Sequence, residues 1–268
     1  MKKCSLPGKD GTADRSRTPH LRPEAPPRGS LRRSVALFRA FLVEQSDPDQ
    51  FYSLLAADSV AEAARWFDVA GADVVDVGGG PGYFADAFRG AGARYAGIEP
   101  DAGELTARGA VGTNALRGSG LQLPIADGVV DCAYSSNVLE HVPDPEAMAE
   151  EMLRVTRPGG VVVISWTPWL SPWGGHETAP WHYLGGRRAA DRYAARTGRR
   201  PKNDFGASLF ACSVARMDRW LRQSAREDRV RVVEVLPRYH PRWARWVIRV
   251  PGLREVACWN AVIVVEKR

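Results

Sequence analysis

The stretch VVDVGGGPGYF at residues 74–84 limits the folds open to this chain more than any other feature. An apolar, β-branched run of strand length enters a cluster of glycines around Pro81, and a helix-like segment follows from Ala85. Strand, bare loop and helix in direct succession are the start of a βαβ unit. Glycines in such a loop accept positive φ and let a ligand approach the backbone closely. In a parallel sheet, ligands bind beyond the carboxyl ends of the strands, where this loop would lie.

The same rhythm continues downstream. Apolar runs at 73–78, 94–99, 129–136 and 160–166 alternate with helical patterns near 82–91, 101–109 and 144–157. The last helix opens with Asp144-Pro145-Glu146, which supplies an N-cap, a first-turn proline and a carboxylate at the positive helix end. Its expected close is Pro158-Gly159-Gly160. Two helical patterns precede the first strand. One begins near Ser34, and the other covers about 52–67, with Leu54, Ala57, Val60, Ala61, Ala64 and Phe67 at helical spacing. After Trp166 the alternation breaks. A helix near 211–224, with Val214, Met217, Trp220 and Leu221 inward, precedes strand-like runs at 230–237 and 260–266. Strands and helices alternating in this way imply an α/β sheet, mostly parallel, with helices on both faces. Residues 168–210 remain as an insertion longer than connections usually are, in the manner of a lid or substrate-binding loop.

Charge is unevenly spread. The net charge is +6, yet residues 34–186 carry 8 basic and 20 acidic side chains, while residues 187–268 carry 20 basic and 8 acidic. An acidic body joined to an Arg-rich final third is not a uniform nucleic-acid coat, so a nucleic-acid partner is not expected. Residues 1–30, rich in Pro, Gly, Ser and Arg, read as a disordered basic tail. No apolar run is long enough to span a membrane, and no h-region follows Lys2 and Lys3. Cys4, Cys132, Cys212 and Cys258 are far apart, with no C-x-x-C, so neither a disulfide framework nor a metal site is expected. Reduced thiols and a cytoplasmic location are the expectation.

Three ligands compete for the glycine loop. A phosphate-cradling loop of the G-x-x-x-x-G-K-[ST] type is excluded because no lysine follows. A dinucleotide fingerprint requires G-x-G-x-x-G, whereas position 83 is Tyr and Pro81 removes one backbone donor. S-adenosylmethionine has no phosphate and needs fewer donors.

Four stretches in order, VVDVGGGPGYF, GIEPD, LQLPIADGVVDCAYSSNVLEHV and EEMLRVTRPGGVVVISW, decide among them. Over about residues 70–168 the chain resembles the class I S-adenosylmethionine-dependent methyltransferases, in the type 11-like subgroup that includes small-molecule, lipid and quinone methyltransferases. Beyond 168, GGHETAPWHYLGG, PKNDFGASLFACS and PRYHPRWARW resemble an actinobacterial group of unassigned substrate. The resemblance implies a Rossmann-like seven-stranded sheet with an antiparallel last strand, and S-adenosylmethionine as methyl donor with S-adenosylhomocysteine as product. It places Gly78, Gly80 and Gly82 under the donor and Asp76 beside the loop near the methionine ammonium. Glu99, 17 positions after Gly82, is a carboxylate able to accept both ribose hydroxyls. In the family pattern G-D-A-x-x-L-P, matched here by Gly118–Pro124, Ser119 replaces the acid that meets adenine. Adenine contact then falls to Ser119 and to the backbone around Gly120 and Leu121. The stretch from Ser135 to His141, with Asn137, matches the loop beside the sulfonium. No N-P-P-Y-like tetrad occurs, which counts against methylation of nucleobase amines.

The insertion holds the expected acceptor groups, with Trp166, Trp169, Trp173, Trp181 and Tyr183 around His176, Glu177 and His182. His176 with Glu177 reads as a base with an orienting acid. His182 and His141 are further candidates, and packed histidines in an aromatic lid are the competing reading. The H-E pair lacks the second histidine of a zinc protease. Aromatic side chains suit a ring, a sugar face or a lipid chain. The segment 239–253 interleaves Arg with Trp, Val and Ile, a pattern shared by membrane-interface helices and by core helices with snorkelling arginines.

The expected division is a tail at 1–30 and one methyltransferase domain at 31–268. Within it lie N-terminal helices (31–69), a cofactor core (70–167), the insertion (168–210) and the C-terminal helix and strands (211–268). The expected activity is methyl transfer to a small-molecule, lipid-linked or glycan acceptor, anionic acceptors included, at oxygen, with peripheral membrane contact. An RNA methyltransferase and a non-catalytic S-adenosylmethionine-binding protein are the alternatives.

Overall fold

The computed structural model describes residues 29–44, 46–109 and 114–268. The expected tail therefore lies outside the described residues, apart from its last two positions. Gly29 and Ser30 belong to the fold, because the Gly29 carbonyl accepts from Arg242 N–H at 2.7 Å and Ser30 caps the first helix.

Two helices, α1 (Leu31–Leu42) and α2 (Pro48–Ala63), lead into the sheet. Asp47 caps α2 and Pro48 occupies its first turn, so the helix starts and stops about four residues before the apolar spacing suggested. Then follow β1 (Asp73–Val77), α3 (Tyr83–Gly90), β2 (Arg94–Glu99), α4 (Ala102–Thr106), β3 (Ala115–Arg117), β4 (Val130–Ser136), α5 (Pro145–Val155) and β5 (Thr156–Trp166). The chain ends with α6 (Gly186–Thr197), α7 (Val214–Arg226), β6 (Val230–Pro237), α8 (Leu253–Ala257) and β7 (Ala261–Lys267). Four 3-10 turns, 139–141, 176–178, 181–184 and 242–249, lie between these elements.

The strands form one seven-stranded sheet in the order β3-β2-β1-β4-β5-β7-β6. β1 to β5 pair in parallel, and β7 runs antiparallel between β5 and β6. Side-chain alternation along each strand builds two cores. Val75, Val77, Val162, Ile164 and Trp166 face α5 and α7 and meet Met148, Met152, Met217 and Trp220. Val74, Tyr134, Val161 and Val163 face α2 and α3 and meet Val60, Phe67 and Phe88. The inward face expected for α7 is the buried one.

The close expected for α5 at Pro158 is corrected. The helix ends at Val155, and Thr156 already pairs with Val130. The ladder then jumps to Cys132↔Val161, so Arg157-Pro158-Gly159-Gly160 forms an irregularity in β5 rather than a helix stop. Cys132, Cys212 and Cys258 are free and buried.

Phe88 is fully buried and packs against Tyr95 and Tyr134. Phe88→Ala is expected to cost ~3–5 kcal/mol of stability, read from urea unfolding, because the cavity has stiff aromatic walls.

Candidate functional site

The site starts where β1 meets β2. Val77 is level with Ile98 in the parallel ladder, and the Ile98 carbonyl accepts from Gly78 N–H at 2.7 Å and from Gly79 N–H at 3.3 Å. This turn needs positive φ at Gly78 (80°), Gly80 (50°) and Gly82 (94°), which glycine adopts without strain. Gly82 is the N-cap of α3 and has no side chain to cap it. A Cβ added at Gly80 would meet nothing within 4 Å, so open space lies over the loop. The cavity there is lined by Gly79, Gly80, Gly82, Tyr95, Gly97 and Glu99.

Glu99 borders this cavity and is tied to the loop. One carboxylate oxygen accepts from Gly80 N–H at 3.2 Å and the other from Asp101 N–H at 3.0 Å. Burial raises its pKa, and the two backbone donors pull it back down. A bare backbone under open space with a carboxylate at its rim fits a nucleoside carrying a ribose diol, so the residues present suit S-adenosylmethionine.

Asp76 lies beneath the loop. It is 1% exposed and accepts from the Tyr95 hydroxyl at 2.7 Å. A Cβ at Gly79 would come within 2.9 Å of that hydroxyl, which explains the middle glycine of the run. Burial pushes the Asp76 carboxyl up to about 7 against the opposing pull of the Tyr95 bond.

The remaining expected cofactor residues sit on the loops after β3 and β4. Ser119 is exposed, and its hydroxyl accepts from Leu121 N–H at 3.1 Å, which closes the turn. Gly120 lies so close to Val77 and Met148 that a Cβ would approach Val77 within 2.9 Å. Leu121 packs on the adjoining core. Asn137 has φ 59° and accepts from the Asn260 carboxamide at 2.6 Å, which ties the end of β4 to the start of β7.

Of the four side chains expected to act on the acceptor, two meet. The His141 and His176 rings are 5.1 Å apart. Burial pushes His176 down to about 4. The acid beside His176 is Glu140, not Glu177, which corrects the expected base and orienting acid. Glu177 is exposed, and its two oxygens accept from Asn203 at 3.0 and 3.1 Å. His182 is buried within the insertion between Trp169 and Tyr183, accepts the close approach of Gly175 and bonds the Ser171 carbonyl at 3.2 Å; burial lowers its pKa.

Sequence reasoning missed Glu140 and Arg238. Glu140 was legible only as the neighbour of His141. Arg238 is 5% exposed, and its guanidinium donates to the hydroxyls of Ser136 (2.7 Å), Ser165 (3.1 Å), Tyr134 (3.2 Å) and Ser59. No local signal sets this arginine apart from the other arginines of the final third.

The Asp76 carboxyl gives a testable pH dependence. Its ordinary value is 3.8, so between about 4 and about 7 the folded chain keeps a proton that the unfolded chain has released. This contribution is fully present below that window and is lost as pH rises through about 7. Wild type is expected to lose stability relative to Asp76→Asn across this range in urea titrations at successive pH values. A constant difference would contradict the assignment.

Known proteins agree with this geometry. The family described as Methyltransferase domain matches residues 75–164. An uncharacterized methyltransferase of Mycobacterium sp. strain KMS is 51% identical over 247 residues, covering 89% of this chain and 96% of that protein. One from Mycobacterium marinum is 50% identical over 251 residues, covering 90% and 96%. The crystal structure of an S-adenosylmethionine-dependent methyltransferase from Mesorhizobium loti superposes with a TM-score of 0.54 at 20% identity, covering 79% of this chain and 98% of that one, and so shares the fold. With a glycine loop after β1, a carboxylate at the end of β2 bonded to it and relatives at half identity along nearly their whole length, the chain belongs to the class I S-adenosylmethionine-dependent methyltransferases.

Proposed function

We propose that this methyltransferase acts at an oxygen of a small-molecule, lipid-linked or glycan acceptor held beneath the 168–210 insertion. The observation that carries the reading is where the insertion lands. Its Ser208 carbonyl accepts from the His141 ring at 2.7 Å, and its Lys202 pairs with Glu104 of α4 at 2.8 Å. It therefore spans from the loop after β4 to the helix after β2, over the carboxyl edge where the donor loop lies. Within it Trp169 packs on Phe205, and Trp173 packs on Phe41 of α1.

Bound S-adenosylmethionine supplies a methyl group already activated on a sulfonium. The protein's part is to align the two reactants, a contribution that reaches roughly 7–11 kcal/mol in well-oriented systems. Glu99 would accept the ribose hydroxyls and the glycine loop would offer its backbone, while Asp76 holds the loop from below through Tyr95. Gly120 and Leu121 would lie toward the adenine. His141 and His176 face the acceptor, while His182 and Glu177 hold the insertion in shape.

An RNA acceptor finds less support. Many arginines of the final third are paired with the acidic body, as in Arg216–Glu146 (2.6 Å), Arg229–Glu150 (2.7 Å) and Arg245–Glu62 (3.4 Å), and so are not arrayed for phosphates. We extend the proposal to peripheral contact with an anionic membrane surface from the cytoplasmic side. Along 242–249, Ala244, Val247 and Ile248 are buried, while Trp243 and Trp246 are 73% and 53% exposed beside exposed Arg242 and Arg249. Among the described residues no helix is long and apolar enough to cross a membrane.

Labelled S-adenosylmethionine incubated with fractionated actinobacterial extract is expected to place label in polar lipid, glycan or small-molecule fractions; label confined to RNA or protein would refute the acceptor class. Glu99→Ala is expected to weaken donor binding by roughly 10- to 150-fold in calorimetry, the value of one charge-assisted bond of ~1.5–3 kcal/mol. Co-sedimentation with anionic but not neutral vesicles is expected, falling for Trp243→Ser with Trp246→Ser. Equal recovery with both vesicle types would end the membrane reading.

A further inference from the structure

Two separate segments bring three side chains together at the carboxyl edge of β4. Glu140 and His141 sit in the 3-10 turn after that strand, and His176 comes from the insertion. One ligand-capable atom of each lies within 4.8 Å of those of the other two. Glu140 is 1% exposed, and its Oε1 accepts from Thr167 N–H at 3.0 Å. Its Oε2 is buried without a partner, and so is His176 Nε2. Thirteen buried side-chain atoms among the described residues lack a hydrogen-bond partner, and these two fall in one cluster of ligand-capable groups, where a bound ion would satisfy both.

The histidines are set up for that ligand. His141 Nδ1 lies 2.7 Å from the Ser208 carbonyl, which can only accept, so Nδ1 carries the proton and Nε2 keeps its lone pair. Metal-binding histidines are oriented in this way, with one nitrogen held by a carbonyl and the other left for the ion. His176 sits at φ 47°, a left-handed backbone that non-glycine residues seldom adopt and that is concentrated at functional sites.

We propose that Glu140, His141 and His176 bind one divalent transition-metal ion of the zinc, manganese or cobalt class. Two imidazoles and one carboxylate without a thiolate suit these borderline ions, and three protein ligands leave coordination positions open. With metal–ligand bonds of about 2.0–2.2 Å in tetrahedral geometry, ligand atoms on one ion lie roughly 3.3–3.6 Å apart, so the three side chains draw together by up to about 1.5 Å in seating it. The expectation of no metal site rested on cysteine spacing; these ligands are histidine and glutamate separated along the chain. Val138, two residues before Glu140, packs its methyls against Gly78 of the donor loop, which puts the ion beside the transfer position. On the oxygen-acceptor reading proposed above, the open positions would take the acceptor oxygen and lower the pKa of its hydroxyl.

The test uses the full chain, stripped with chelator and dialysed, then titrated with Co2+ followed by visible absorption and with Zn2+ followed by calorimetry. One ion per chain is expected. Glu140→Gln and His176→Asn are each expected to weaken binding at least 100-fold while still binding S-adenosylmethionine, and Glu177→Gln to leave metal affinity unchanged. Wild type that takes up no stoichiometric ion would overturn the proposal, and that titration decides even if a variant does not fold. Wild-type affinity in both ligand variants would overturn it as well. Because metal binding is read without an acceptor, its failure would leave the proposed methyl transfer standing, and failure of methyl transfer would leave the metal site standing.

Discussion

Two backbone donors converging on one carbonyl hold the centre of this protein. Gly78 and Gly79 N–H both turn into Ile98 O, the last acceptor β2 offers beyond the end of β1. The turn brings Gly80 to the Glu99 side chain, whose carboxylate takes the Gly80 N–H. The glycine loop and the acid at the end of β2 are therefore one hydrogen-bonded unit, set by the register of two parallel strands. A slip of one residue would move Asp76 and Glu99 to the opposite faces and dismantle both.

Alternation along the strands then decides which polar groups are buried together. Asp76, Tyr134, Ser136 and Ser165 all point toward α2 and α3. There Asp76 finds the Tyr95 hydroxyl, and the last three surround Arg238 with Ser59. Satisfied buried networks of this kind make a core specific, because any member left unpaired is costly in a low-dielectric interior. The unpaired oxygen of Glu140 and the unpaired nitrogen of His176 differ from other unpaired buried atoms in lying within one cluster with His141.

The charge asymmetry of the chain has a structural resolution. Read linearly, an acidic body and a basic end suggest a binding surface for anions. In the fold the end packs on the body, and arginines meet acids: Arg216 with Glu146, Arg229 with Glu150, and Arg245 with both Glu62 and Glu234. Partly buried pairs of this kind set orientation more than they add stability. What stays outward along 242–249 is two tryptophans flanked by arginines, a smaller and more amphipathic feature than the composition implied.

Local pattern made much of this legible. The strand–loop–helix at 73–90, the four main parallel strands, the inward face of α7 and the position of Glu99 all follow from short-range periodicity and spacing. β3 was not legible, because three residues hold too little periodicity, and neither was α6, whose buried stripe is only Gly186, Ala189 and Ala190. The family resemblance supplied the seventh strand. The acceptor side depended on contacts across the chain: Glu140 beside His176, Glu177 turned to Asn203, and Ser208 fixing the His141 ring. The sequence by itself determined the glycine loop and its acid, because strand, loop and acid are neighbours within one βαβ unit. Only the tertiary structure decided which side chains meet beneath the insertion, because their partners lie tens of residues away and no local period encodes a contact made by folding the insertion back across the sheet edge.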